Sequence, residues 1–128
     1  MPASTAVVNG GRAIITNRII GSGTEPKYIG IGTGTTAVAL TDTVLGGEVE
    51  SRATGTSSRT TTTSTNDTYQ VVGTITATGS RTIGEVGLFD ASSSGNLFVR
   101  GVLASTVSLA SGDSITATVT VQVTSSVV

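Results

Sequence analysis

From Ser114 to Val123 the chain alternates strictly: Ile115, Ala117, Val119, Val121 and Val123 are apolar, and Thr116, Thr118, Thr120 and Gln122 between them are polar. This period of two predicts a strand with one dry and one wet face. Ala110-Ser111-Gly112-Asp113 upstream is a turn signal, and Val107 with Leu109 before it predicts a small strand of its own. Earlier still, Ile83–Phe89 and Leu97–Leu103 flank the small polar residues 90–96, which predicts a hairpin. Tyr69–Ala77 reads as a strand with Tyr69, Val71, Ile75 and Ala77 on one face, and Tyr28–Gly32 as a shorter strand.

The remaining segments are less regular. Glu48–Ser64 is Thr-rich and β-branched, compatible with two strands around Gly55 or with a projecting ribbon. Arg12–Ile20 has Ile15 and Ile19 four apart, Asn9 ahead as an N-cap and Gly21 behind, and so predicts the one helix. Thr41–Leu45 is expected to add a short helical turn. The segment 1–9 and the Thr-rich stretch of about 55–67 have no apolar face of their own and are expected to be a flexible N-terminal segment and a mobile arm or edge ribbon. The whole of 1–128 then reads as mostly β, a single-domain antiparallel β-sandwich, jelly-roll-like, of about seven or eight strands with one short N-terminal helix.

Composition narrows the chemistry. The 128 residues hold no Cys, His or Trp, 17 Gly and 3% aromatic residues, and about a third of them are Ser or Thr. Disulfide scaffolds, thiolate nucleophiles, His-containing triads and the usual zinc sites are excluded. Val, Ile, Leu and Phe make up about a quarter of the chain, above the roughly 20% of disordered chains, so the chain is expected to fold. Seven basic and eight acidic residues are scattered along the sequence with a net charge of −1; no basic stripe points to nucleic acid. No apolar run reaches bilayer length and residues 1–10 lack a leader pattern, so no membrane partner is expected. A core this poor in aromatics, in a chain rich in Gly, gains from a partner surface, and oligomerisation is the usual remedy where disulfides and metals are missing.

Few residues are candidates for chemistry. Gly30-Ile31-Gly32-Thr33-Gly34-Thr35-Thr36 has the look of a phosphate cradle, but no Lys precedes a final Ser or Thr and no third Gly opens a long helix; a strand running into a tight turn is expected. Asp42, Asp67, Asp90 and Asp113 sit in turn-forming surroundings and make no calcium series. A glycosidase pair drawn from Glu48, Glu50 and Glu85 is disfavoured, because Glu48 and Glu50 are expected on one strand face and no Trp platform exists. No catalytic, metal or cofactor-binding residue is expected. Glu85 and Arg100 interrupt apolar strands of the hairpin; they either face each other across the ladder as an ion pair or both lie solvated on the outer face.

Several of these stretches together resemble small bacteriophage virion structural proteins. In the N-terminal half they are Asn17-Arg18-Ile19-Ile20-Gly21, residues 26–36, Leu40–Leu45 and Glu48. In the C-terminal half, Glu85-Val86-Gly87-Leu88-Phe89-Asp90-Ala91 followed by Gly95-Asn96-Leu97-Phe98-Val99-Arg100, then residues 107–115, are similar to the hairpin of head-decoration (cement) and tail-fibre-type β-sandwich proteins. The resemblance spans roughly residues 10 to 123. It implies a non-enzymatic homotrimer on the capsid surface that stabilises the expanded head at capsomer junctions, with the major capsid protein and its own copies as partners. It also implies assembly in the host cytoplasm, and inter-subunit or capsid contacts at Arg52, Arg59, Thr61, Thr63, Glu85 and Arg100. A tail-fibre or baseplate accessory role is the alternative, and a small carbohydrate-binding module a more distant one.

Overall fold

The computed structural model describes residues 2–127. Eight strands and one helix follow one another as β1 (Pro2–Val7), α1 (Asn9–Ile19), β2 (Tyr28–Gly32), β3 (Glu48–Thr54), β4 (Thr56–Thr60), β5 (Thr68–Thr76), β6 (Arg81–Phe89), β7 (Leu97–Leu109) and β8 (Ser114–Gln122). Five strands form one antiparallel sheet in the order β1-β7-β6-β2-β3, and three form a second in the order β4-β5-β8. The expected β-sandwich with one short helix is the fold.

Period-two patterning explains the facing surfaces. Ile29 and Ile31 on β2 and Leu88 and Val99 on β6 and β7 point toward the second sheet, where Val71 and Ile75 of β5 meet them; all six are buried. Burying side chains of this size contributes roughly 1.5–3 kcal/mol each. β8 keeps the alternation of its sequence, yet its apolar residues Ile115, Ala117, Val119 and Val121 are only half-buried.

The large sheet has a second dry face. Tyr28, Gly30 and Gly32 of β2 are in register with Phe89, Gly87 and Glu85 of β6, and this column looks away from the sandwich core. Residues 33–47 lie across it, and Leu45 packs there with Val8, Phe89, Leu97 and Tyr28. Glycine is needed where this loop lies on the strands: a Cβ on Gly87 would stand 2.7 Å from Leu45 Cδ2. The protein is thus layered as small sheet, large sheet and loop.

Several expectations are corrected. Residues 2–7 are not a free segment but the edge strand β1, antiparallel to β7 from Pro2↔Leu103 to Val7↔Val99, and Val8 is fully buried. Helix α1 begins at Asn9, with Val8 in the N-cap position and no side-chain cap. Its end is as expected: Gly21, at φ +79°, donates to Arg18 O while Ser22 donates to Asn17 O, the paired bonds of a glycine-terminated helix. Thr41–Leu45 forms no helical turn, because Asp42 and Leu45 are drawn to partners on the sheet. Val107 and Leu109 belong to the long β7, whose register with β6 slips between Ile83 and Glu85.

The Thr-rich stretch is two things. Residues on either side of Gly55 are strands in different sheets, and β4 pairs with β5 from Thr56↔Val72 to Thr60↔Thr68. The loop that follows is drawn around Asp67, whose carboxylate accepts the amides of Thr62, Thr63 and Ser64, the Thr68 hydroxyl and the Gln122 side-chain amide. Backbone donors from Ser64 and Thr62 are the main reason this carboxyl is held far below its ordinary range. Of the two expectations for this stretch the edge ribbon is the one found, as an anchored hairpin, and the mobile arm is not.

Candidate functional site

The densest polar arrangement is built on Glu85, at the centre of the large sheet. Its side chain is fully buried, and Oε2 accepts the amides of Gly34 and Gly47 at 2.8 Å each, while Oε1 accepts the Gly46 amide at 2.8 Å and Arg100 Nε at 2.9 Å. Arg100, 3% exposed, uses its other nitrogens on the Asp42 carboxylate (3.0 Å) and the Thr36 carbonyl (3.0 Å). Asp42 also accepts the Ala39 amide. Every end of the network therefore lies in the 33–47 loop, and its base lies in β6 and β7.

The glycines supply the amides and the space. A Cβ on Gly34 would stand 2.5 Å from Glu85 Oε2, and one on Gly32 would collide with the same atom. The Gly-rich run that mimics a phosphate cradle is indeed an anion cradle, with Gly34 reaching its anion from one side and Gly46 and Gly47 from the other. The anion is the protein's own carboxylate. Burial alone would raise the Glu85 carboxyl, but the amide of Gly46, the Arg100 guanidinium and the amides of Gly47 and Gly34 outweigh it and hold the group below the ordinary range.

Two smaller clasps flank this network. Arg52, buried beneath Glu48, sits 3.4 Å over the Phe89 ring, pairs with Glu48 at 2.8 Å and donates to Ala91 O and Ser94 O in the β6–β7 turn. That turn is closed by Asp90, which accepts the Asn96 amide and side chain. Glu50 breaks the alternation of β3 with φ +64°, where the β2–β3 register slips. Its carboxylate takes Arg81 Nε at 2.8 Å and the amide and hydroxyl of Thr78. Arg81 is the main cause of its lowered pKa. Glu48 and Glu50 thus do not act on one face, because the bulge sends them to different partners.

The six residues expected to make external contacts divide into three groups. Glu85, Arg100 and Arg52 are internal, engaged as described. Thr61 and Thr63 lie in the anchored β4–β5 loop, where Thr61 Oγ1 accepts the Asn66 amide and Thr63 Oγ1 accepts from Gln122. Arg59 is exposed on the edge strand β4, opposite Tyr69 in the ladder. The solvated alternative for Glu85 and Arg100 is overturned. Sequence reasoning missed Asp42 and the Gly46-Gly47 amides as members of the network; the signal available was a buried-strand acid and base with a Gly pair nearby, which no spacing rule connects.

A second feature is apolar. Ile14, Ile15, Ile19, Pro26, Phe98 and Val123 line a groove of about 320 Å³ between α1 and the end of the sandwich. Ile19 and Val123 remain largely exposed. Tyr69 closes its floor, packed edge-on to Phe98 at 6.3 Å, its hydroxyl shared between Glu25 and Pro26 O. Burial, then the neighbouring Glu25 charge, pushes the Tyr69 hydroxyl well above its ordinary range. Among the described residues no helix is long and apolar enough to cross a membrane, and no three acidic side chains gather where a metal would be held. Comparison with protein-family models, with curated proteins and with solved structures yields no match.

Proposed function

We propose that this is a non-enzymatic bacteriophage virion structural protein, a homotrimeric capsid decoration protein that binds the major capsid protein at capsomer junctions of the expanded head. The observation that carries this reading is where the resemblance falls. Glu85, Gly87, Phe89, Leu97 and Arg100, which lie in the stretches that resemble virion hairpins, build the internal lock and the second dry face together with the 33–47 loop. A chain that devotes its buried charges to holding a loop flat on a sheet is suited to presenting a rigid surface. Rigid, pre-ordered surfaces lose little on docking.

The three carboxylates from which a glycosidase pair would be drawn are all engaged within the chain. Glu85 is held by Arg100 and three amides, Glu48 by Arg52, and Glu50 by Arg81 and Thr78. Glu85 and Glu50 are held below the ordinary range, the opposite of the raised pKa that a general acid requires. A tail-fibre or baseplate accessory protein would use the same fold and is the alternative.

Co-sedimentation tests the proposal. Purified protein mixed with expanded heads that lack it is expected to pellet with them to a saturating ratio and to leave unexpanded heads bare. Recovery in the supernatant with both would overturn the head assignment, and recovery with isolated tails would favour the alternative.

A further inference from the structure

The two sheets are unequal, and the mismatch leaves a slot. β5 lies under β2 and β3, where a Cβ on Gly73 would meet Ile29 and Ala53. β8 follows it, and no strand of this sheet comes after β8, so β7 and β1 overhang. Between the overhang and β8 is a cavity of about 350 Å³, lined by Thr5, Val86, Val99 and Leu103 above and by Ile115 and Val119 below. Thr116, Thr118 and Thr120, from the opposite face of β8, also line it, so the cavity reaches around the free edge of that strand. No charged side chain faces it.

The edge itself is unprotected. β8 pairs with β5 along its full length, from Ser114↔Thr76 to Gln122↔Thr68, with no slip in register. Its other edge has no partner strand among the described residues. Edge strands are ordinarily blunted by Lys, Pro, a bulge or a covering loop. β8 has no charge and no Pro in Ser114–Gln122. A strand added about 4.8 Å away would complete the burial of Ile115, Ala117 and Val119.

The chain carries a segment of matching character. Val123–Val127 follows β8, is exposed throughout and is uncharged, rich in β-branched residues and free of Gly and Pro. The Val123 amide donates to Asp67 O, and Val127 is fully exposed. Doubling back along its own β8 would need a tight reversal, and the segment has no Gly, Asn or Asp to make one. We propose that the segment following β8 of one copy adds as a strand to the free β8 edge of a second copy, with Val127 turned into the slot. Donor and acceptor surfaces differ, so copies exchange segments either reciprocally in a dimer or head-to-tail in a ring, and a ring of three is the closure that a trimer requires. The exchange does not depend on the virion reading, and head binding is measured separately.

Two measurements on the whole chain test it. Light scattering after size exclusion is expected to give the full chain a multiple of the monomer mass, and the chain ending at Gln122 the monomer mass with an unchanged β-sheet circular dichroism spectrum. The native chain has no Cys, which allows a second test that needs no truncation: Ser126→Cys protein is mixed in turn with Thr116→Cys, Thr118→Cys and Thr120→Cys protein and oxidised. A mixed disulfide in at least one pairing is expected. A monomeric full chain, an unchanged oligomer mass after truncation, or no mixed disulfide in any pairing would overturn the proposal; if the truncated chain does not fold, the disulfides decide.

Discussion

Glu85 and Arg100 form the buried ion pair of this protein without being opposite each other: in the β6–β7 ladder Glu85 is paired with Val102 and Arg100 with Gly87. The two side chains meet on the diagonal at 2.9 Å, and the missing side chain of Gly87 leaves the space that Leu45 enters. The offset frees the rest of the guanidinium to reach Asp42 and Thr36, so a pairing between two strands becomes a tether for a loop.

Breaking that pair on one side is therefore costly. Arg100→Met leaves a buried carboxylate with only its amide donors, and Glu85→Gln leaves a buried guanidinium with Asp42 as its remaining charge partner. Loss of one member of a buried pair costs about 3–5 kcal/mol. Urea denaturation of either variant is expected to show a loss in that range, and hydrogen exchange at the Gly34, Gly46 and Gly47 amides to speed up beyond what global unfolding explains. Unchanged exchange at those three amides would show that the loop is held by something else.

Gly34→Ala tests the cradle from the other side. The added methyl would meet the Glu85 carboxylate at 2.5 Å, and neither backbone nor buried acid can retreat without breaking a hydrogen bond. Overpacking of this kind costs about 1–3 kcal/mol. Calorimetry is expected to show a lower Tm for this variant, while Ala substitution at the exposed Thr35 is expected to be neutral.

Arg52 holds the β6–β7 turn to β3. Arg52→Ala removes two bonds to the turn carbonyls, the pair with Glu48 and the contact over Phe89, and hydrogen bonds to charged groups contribute about 1.5–3 kcal/mol. A loss of about 2 kcal/mol is expected, with the Asn96 amide the most affected by exchange. Protection of Asn96 as in the native chain would show that Asp90 closes the turn unaided.

Acid should loosen the protein over a defined pH window. Glu85 and Glu50 are held below their ordinary range in the folded chain. A depressed folded pKa contributes stability that is present above the unfolded value, about 4.3 for Glu, and is lost as pH falls through the folded value. Stability is thus expected to be level from neutral pH to about 5 and to fall below about 4. Glu85→Gln should flatten part of that fall; an equally steep fall in this variant would remove Glu85 from the account.

The strands were legible because β-branched residues alternate with polar ones over stretches long enough to fix a face, as in β8 and the β6–β7 hairpin. The helix end was legible at Gly21 for the same local reason. N-terminal residues 2–7 were not, because an edge strand that borrows its partner from β7, nearly a hundred positions away, needs no pattern of its own. The Thr-rich stretch was left open between arm and edge ribbon because the order of its loop comes from one acid, Asp67, whose role depends on three amides that the fold brings round it. Glu85 and Arg100 were recognisable as a pair, but their burial was not: it is created by the 33–47 loop, and nothing in the composition of that loop announces that it lies flat on glycine-paved strands.

The proposed decoration role is tested most directly by an averaged electron-microscope image of phage particles mixed with the purified protein. Density of the size of three copies standing over capsomer junctions, into which the sandwich fits, is the predicted result. Bare junctions, with the sandwich found in the tail or baseplate, would contradict it.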